Sequence, residues 1–261
     1  MNHKETISTN STIPQKFSYN KPIIHLTETD STNKYAMQLL KDNPTDGTAI
    51  VADYQTGGKG QSQNSWHSDP AKNLLISVIW KNVVLKADEN FYLTKAVTYA
   101  VHQFLKQCFN LDAMIKWPND MVVNDKKIAG ILIENTISGT SIKASVIGVG
   151  INVNQANFPA DLPNATSAHL LNNQVYPIAV IQELFLGYLQ QGYQLLKLKQ
   201  HNRLTDFYLK HLYRLNEKHQ FIVDKNKIEA TIVGVDRWGK LIILHNSEFK
   251  SFNNKEIQFV Y

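Results

Sequence analysis

The chain has 261 residues, of which 43% are hydrophobic and 19% charged, and carries a net charge of +5. That balance excludes disordered and fibrous classes and allows one main core with a small appendage. A single cysteine, Cys108, excludes an internal disulfide and a multi-cysteine zinc site, and the scattered lysines do not read as a dedicated nucleic-acid binder.

The opening stretch MNHKETISTNSTIPQKFSYN is polar and has no apolar run. It is neither a signal peptide nor a membrane anchor and is too short for a helix-turn-helix, so residues 1–21 are expected to form a flexible tail. KPIIHLTETD predicts a strand. STNKYAMQLLKD predicts a helix capped by Ser31 or Thr32, with Tyr35, Ala36, Leu39 and Leu40 on one face. TAIVADYQ is a second strand and leads into the glycine-rich loop YQTGGKGQSQNSW, Tyr54 to Trp66. NLLISVIW is continuously apolar and predicts a strand covered on both faces. From Asn90 to Cys108 the residues Leu93, Val97, Val101, Leu105 and Cys108 recur at helical spacing, as in a core helix. The longest apolar runs fall well short of the roughly 18 residues that span a bilayer, so a soluble, cytoplasmic chain with no membrane partner is expected.

Three turn signals, Pro118-Asn119-Asp120, Asn124-Asp125 and Ser138-Gly139, then separate four β-type runs, which predicts an antiparallel meander. Its edge strands offer main-chain groups to a second copy, giving a homodimer, or to a partner domain. Helical patterns return over 177–200 and 203–215. In the latter, a basic, solvated face overlies Leu204, Phe207, Tyr208 and Leu212. The last forty-odd residues alternate again, with strands near 220–223, 227–235, 240–245 and 257–260. Short strands in series without a helix suggest a small SH3-like barrel, which takes five. The expected organisation is a tail over 1–21, a main domain over 22–216 and a C-terminal domain over 217–261.

Two constellations carry chemistry. Gly57-Gly58-Lys59-Gly60 can wrap main-chain N–H groups around an anion while Lys59 neutralises charge; the alternative is a mobile surface hairpin. The second is KWPND, Lys116 to Asp120, followed after six residues by KIAG, Lys127 to Gly130. Strand alternation puts Lys127, Ala129 and Ile131 on one face, with Ile128, Gly130 and Leu132 on the other. Gly130 in mid-strand points either to a ligand passing close to the backbone or to a bulge. Cys108 reads as core rather than nucleophile and His67 as a loop histidine. Ser31 lacks the Gly-x-Ser-x-Gly setting of a nucleophile, and Trp117 serves equally well as core.

DSTN at 30–33, YQTGGKG, KWPND, KKIAG and GVGIN at 148–152 occur in an order and at spacings that resemble the biotin–protein ligases, over nearly all of residues 22–261. The resemblance implies an α+β fold: a class II synthetase-like biotin/lipoyl ligase domain with a mixed, mainly antiparallel sheet, followed by a C-terminal SH3-like β-barrel. It implies a two-step, ATP- and Mg2+-dependent reaction through biotinyl-5′-adenylate, ending on a lysine of a biotin carboxyl carrier domain of a carboxylase. By similarity, Ser31, Thr32, Asn33 and Gln55 hold biotin's ureido ring, with Gly130 also on the biotin side. Lys59, Gly60 and Gln61 close over the adenylate, and Trp66 packs near the nucleotide. Lys127 touches carboxylate and phosphate and is the first catalytic cation, with Lys59 and Lys116 beside it. Lys116, Asn119 and Asp120 face ATP, with Asp120 on the metal, while Ile151 and Asn152 end a strand beside adenine and phosphate.

The glycine loop departs from the family, reading Gly58-Lys59-Gly60-Gln61-Ser62-Gln63 where relatives carry arginine. Lysine keeps the charge but loses the planar fork that grips an anion with two parallel bonds. The DNA-binding head of some relatives is not seen, so no DNA partner is expected. The rival readings are a lipoate–protein ligase, whose Arg-Arg-x-x-Gly-Gly-Gly-Ala stretch is absent, and a non-catalytic biotin-sensing regulator.

Overall fold

Seven strands build the larger sheet of the computed structural model, which describes residues 19–61, 64–81 and 83–260. They are β1 (Ile23–Thr29), β2 (Ala49–Gln55), β3 (Leu74–Lys81), β4 (Met114–Lys116), β5 (Asp120–Val123), β6 (Lys126–Ser138) and β7 (Ser141–Ile151). Their spatial order is β1-β2-β3-β7-β6-β5-β4, with β1 and β2 parallel and every other neighbour antiparallel. The sheet is therefore mixed and mainly antiparallel, and β4 to β7 form the expected meander.

The unbroken apolar run of β3 follows from its interior place in that order. Leu74, Ile76, Val78 and Trp80 join the main core with α2 (Phe91–Phe109) and α4 (Ile178–Lys197). Ile79 instead turns to the other face, where it meets Ala36 of α1 (Thr32–Leu39), Ile50 and Val146. Each such side chain, fully buried, contributes about 1.5–3 kcal/mol relative to exposure. Two further helices complete the main unit: α3 (Ala168–Asn172), which has no periodic signal of its own, and α5 (His201–Lys210), which ends five residues before the helical pattern does. Leu204, Tyr208 and Leu212 are buried as expected, and Phe207 is partly buried.

Local chemistry sets the turns. Asn124 and Asp125 both have positive φ, 49° and 63°, and close the tight hairpin between paired Val123 and Lys126. One residue later the pairing slips: Met121 faces Ala129 but Val122 faces Lys127, so β6 carries a bulge. This corrects the strict alternation expected there. The extra residue reverses the side-chain phase, bringing Lys127 onto the face of Gly130. Lys127 Nζ lies 3.3 Å from where a Cβ of Gly130 would stand.

The meander's outer strand is not a free edge. The Ile115 N–H donates to the His211 carbonyl (2.7 Å), and the Ile115 carbonyl accepts from the Tyr213 N–H (2.9 Å). Strand β4 therefore has no main-chain groups at Ile115 left for a second copy or a partner domain.

The C-terminal strands are β8 (Lys218–Val223), β9 (Asn226–Val235), β10 (Leu241–His245), β11 (Glu248–Phe252) and β12 (Ile257–Phe259). All pair antiparallel in the order β11-β10-β9-β8-β12. The fifth strand, β11, falls between the ranges read from the sequence. Among the described residues no pairing closes β11 onto β12, so the unit is a five-stranded sheet rather than a closed barrel. A turn at Asn253–Glu256, held by Glu256 accepting from the Asn253 backbone N–H (2.6 Å) and side chain (2.9 Å), carries the chain to the far edge beside β8.

Residues 1–18 of the expected tail, with Ser62 and Gln63 of the glycine loop, lie outside the described residues. Tyr19 already belongs to the fold, since its hydroxyl donates to the Gly47 carbonyl. Among the described residues no helix is long and apolar enough to cross a membrane.

Candidate active site

A cavity of about 530 Å³ opens on the α1 side of the larger sheet. Its floor is a strip where three strands run side by side. Gly130 of β6 pairs with Gly150 of β7, which pairs with Leu75 of β3; one step along, Leu132, Gly148 and Ser77 are aligned in the same way. The three glycines leave this strip without side chains, so another group can lie directly on the backbone. The Trp66 indole uses that space: a Cβ on Gly150 would stand 2.5 Å from the ring, and one on Gly130 would stand 3.0 Å from it.

The residues expected to form the site converge here. Ser31, Thr32, Asn33, Gln55, Lys59, Gly60, Gln61, Trp66, Lys116, Asn119, Asp120, Lys127 and Gly130 all line the cavity. Ile151 and Asn152 do not. Ile151 is fully buried in the core, and Asn152 is tied into the backbone, its N–H donating to the Ile128 carbonyl and its side-chain amide to the Thr166 carbonyl, both at 2.9 Å. The glycines of the GVGIN motif reach the cavity, while its last two residues secure the strand end.

The cationic wall is built by the KWPND turn and the bulge. Lys127 Nζ stands 2.8 Å from Asp120 Oδ1 and 5.6 Å from the centre of the Trp66 ring system, within cation–π range. Lys116 Nζ lies 5.3 Å over the ring of Phe259. The turn itself is braced from two sides. The Tyr208 hydroxyl, buried in α5 and raised in pKa by that burial, donates to the Pro118 carbonyl at 3.0 Å. The Trp117 indole N–H donates to the Gly239 carbonyl at 2.7 Å. The Asn119 amide donates to the Ile131 carbonyl, so one of its two N–H donors serves the sheet.

The glycine loop is a small hairpin. The Trp66 N–H donates to the Gly58 carbonyl (2.9 Å), the Gly60 N–H donates to the Asn64 carbonyl (2.7 Å), and Lys59 bridges Ser65. The Trp66 indole N–H is buried at the cavity wall without a partner among the described residues, a donor left for a bound group. At the other end Ser31 caps α1 by position only. Its side chain makes no capping bond and lines the cavity.

Sequence reasoning missed the C-terminal contribution. Asn254, Lys255, Ile257, Gln258 and Phe259 also line the cavity, and the Asn254 amide donates to Gln61 Oε1 at 2.7 Å. No motif marks these residues, because their place depends on how two sheets meet. Cys108 lies on α2 away from the cavity, and burial pushes its thiol up to about 11. No group of three His, Cys, Asp or Glu side chains suited to a metal exists among the described residues.

Residues 26–152 match the biotin/lipoate A/B protein ligase family. Over those residues the chain is similar to that family. It is 33% identical over 183 residues to the bifunctional ligase/repressor BirA of Bacillus subtilis, covering 64% of this chain and 55% of that protein. It is 32% identical over 132 residues to the biotin–[acetyl-CoA-carboxylase] ligase of Paracoccus denitrificans, covering 49% and 53%. The chain thus spans about half the length of these relatives. Its fold superposes on the biotin protein ligase of Aquifex aeolicus in complex with biotin and ATP with a TM-score of 0.75 at 26% identity, covering 92% of this chain and all of that one. The five segments singled out in the sequence each supply residues to the cavity.

Proposed function

We propose that this chain is an ATP-dependent biotin–protein ligase, and that residues 22–216 form its catalytic unit with 217–261 as a C-terminal domain. The observation that carries the reading is the convergence of Thr32, Gln55, Lys59, Lys116 and Lys127, from five separate segments, on one glycine-floored cavity. In the first step the biotin carboxylate attacks the α-phosphorus of ATP, giving biotinyl-5′-adenylate and pyrophosphate. In the second, a lysine amine of a biotin carboxyl carrier domain attacks the acyl carbon, giving an amide and releasing AMP.

Two anions must meet in the first step, so fixed positive charge has to offset their repulsion and the charge of the transition state. Lys127, held by Asp120, and Lys59 of the hairpin supply it in this reading. Thr32 and Gln55, with Ser31, face the ureido ring. Trp66, seated on Gly130 and Gly150, walls the cavity and helps to keep water from the mixed anhydride. Among the described residues a single carboxylate, Asp120, lies on the cavity wall, which suits a magnesium ion with few protein ligands. Asp120 would hold that ion, which supplies charge neutralisation on the phosphates. The reading places the protein in the cytoplasm, where ATP is supplied, with no part for DNA.

Biotin-dependent exchange of pyrophosphate into ATP, with lipoate as competitor, tests the first step. Labelling of a purified carrier domain tests the second. Exchange with lipoate but not biotin would overturn the reading, and biotin binding without transfer would point to a sensor.

A further inference from the structure

Beneath the polar end of the cavity a chain of hydrogen bonds runs from Glu134 to Gln55. The Asn33 side-chain amide donates to Glu134 Oε2 (2.8 Å) and to the Leu132 carbonyl (3.3 Å). Asn33 Oδ1 lies 2.6 Å from Ser77 Oγ, which lies 2.7 Å from Thr32 Oγ1, which lies 3.0 Å from Gln55 Oε1. Gln55 Oε1 also accepts the Thr32 backbone N–H at 2.7 Å. Asn33 and Thr32 are each 4% exposed, and Ser77 is fully buried and does not line the cavity.

The donor and acceptor inventory of these groups, with the short contacts of Ser77, favours one arrangement of protons. Carboxylate and carbonyl oxygens only accept, so Glu134 and Leu132 force the NH2 of Asn33 toward themselves and its carbonyl toward Ser77. That carbonyl also only accepts, so the Ser77 proton goes to Asn33. Ser77 Oγ is then free to accept from Thr32, and that 2.7 Å contact, shorter than the 3.0 Å from Thr32 Oγ1 to Gln55 Oε1, draws the Thr32 proton inward. Thr32 Oγ1 and Gln55 Oε1 are left facing the cavity end as two acceptors with no proton between them. Gly148 makes the seat possible, because a Cβ there would stand 2.1 Å from Asn33 Oδ1.

We infer that Glu134 and Ser77 are positioning residues that polarise this chain, so that the site demands an N–H donor in the ring it binds. The inference rests on the proposed function and assigns the ring specificity of that same site. A cyclic urea supplies the N–H. A cyclic carbamate, with one ring N–H replaced by oxygen, puts a third acceptor against two.

The test is steady-state adenylate formation with biotin and with its carbamate analogue. Glu134→Leu is expected to raise the KM for biotin about tenfold, with the KM for ATP within about twofold. Glu134→Gln, whose Oε1 still accepts from Asn33, is expected to restore it. Ser77→Ala frees the Thr32 proton to turn to Gln55, so the preference for urea over carbamate falls roughly tenfold. Equal losses toward biotin and ATP, or undiminished discrimination in Ser77→Ala, would overturn the inference. A readout independent of turnover is NMR of the free protein: slowly exchanging Asn33 side-chain amide protons that persist in Glu134→Gln and are lost in Glu134→Leu. Fast exchange in the unmodified protein would overturn the polarised chain even if biotin is activated, whereas slow exchange without biotin activation would leave the chain standing and remove the proposed function.

Discussion

Replacing Lys127 with alanine separates stability from chemistry by a calculable margin. Its ammonium pairs with Asp120 at 2.8 Å, but the two side chains are 40% and 23% exposed. A pair so open to solvent contributes at most about 1 kcal/mol to folding. At about 2–4 °C per kcal/mol for a domain near this size, the melting temperature should fall by a few degrees at most. The backbone of Lys127 stays fixed in the variant, because its N–H donates to the Asn164 carbonyl (2.7 Å) and its carbonyl accepts from the Thr166 N–H (2.9 Å). In the proposed reaction the same ammonium would face charge that develops in the transition state, and removing one such preorganised group costs about 10²–10³ in rate. Rapid-quench measurement of adenylate formation, beside thermal unfolding of the same preparation, reads both quantities. A rate within threefold of the unmodified protein would refute the assignment of Lys127. A large melting shift with a proportionate rate loss would make it a structural residue.

Gly239→Ala probes the junction between the two sheets. Gly239 has φ +88°, and a Cβ there would stand 2.3 Å from the Phe91 ring. Left-handed strain and overpacking together predict a loss of about 2–5 kcal/mol, read by urea denaturation; an unchanged midpoint would show that this turn does not dock on Phe91. His102, buried beside the His211 and Phe207 rings, has its pKa lowered to about 4 by burial. The unfolded chain therefore binds the proton first, so stability is complete above the unfolded value near 6.5 and is lost as pH falls toward 4, by up to about 3 kcal/mol. His102→Gln should flatten that dependence in denaturation at pH 7.5 and pH 5. Burial of the Cys108 thiol predicts slow alkylation by iodoacetamide at pH 8 in the folded protein and fast alkylation in urea, followed by mass spectrometry.

What the sequence revealed of these features follows from how local each one is. The strand NLLISVIW, the core helix ending near Cys108 and the Asn124-Asp125 hairpin depend on contiguous residues, and each appears where periodicity and turn chemistry put it. The bulge in β6 depends on register with β5, which no local pattern encodes, and it moved Lys127 to the opposite face from simple alternation. Short α3 carries its own cap, Ser167 accepting from the Leu170 N–H at 3.1 Å, but five residues give too little periodicity to register. The cavity wall at Asn254–Phe259 was hidden for a different reason: it exists only where the C-terminal sheet meets the Trp117 turn.

The floor of the cavity shows why motif residues and plain core residues cannot be separated here. Along β3 the even positions Leu74, Ile76, Val78 and Trp80 bury themselves with α2 and α4, while Leu75 and Ser77 face the glycines of β7. The same strand thus anchors the back of the sheet in close-packed apolar side chains and fixes the polar chain at its front. A shift of β3 by one residue would exchange the two sets, putting Ser77 into the helical core and an apolar side chain against Asn33. The positions of Thr32 and Asn33 relative to Gly148 therefore depend on the registry of β3 with β7, which the burial of Leu74, Ile76, Val78 and Trp80 on the far side of the sheet supports, Trp80 stacking on Tyr193 with 4.6 Å between ring centres.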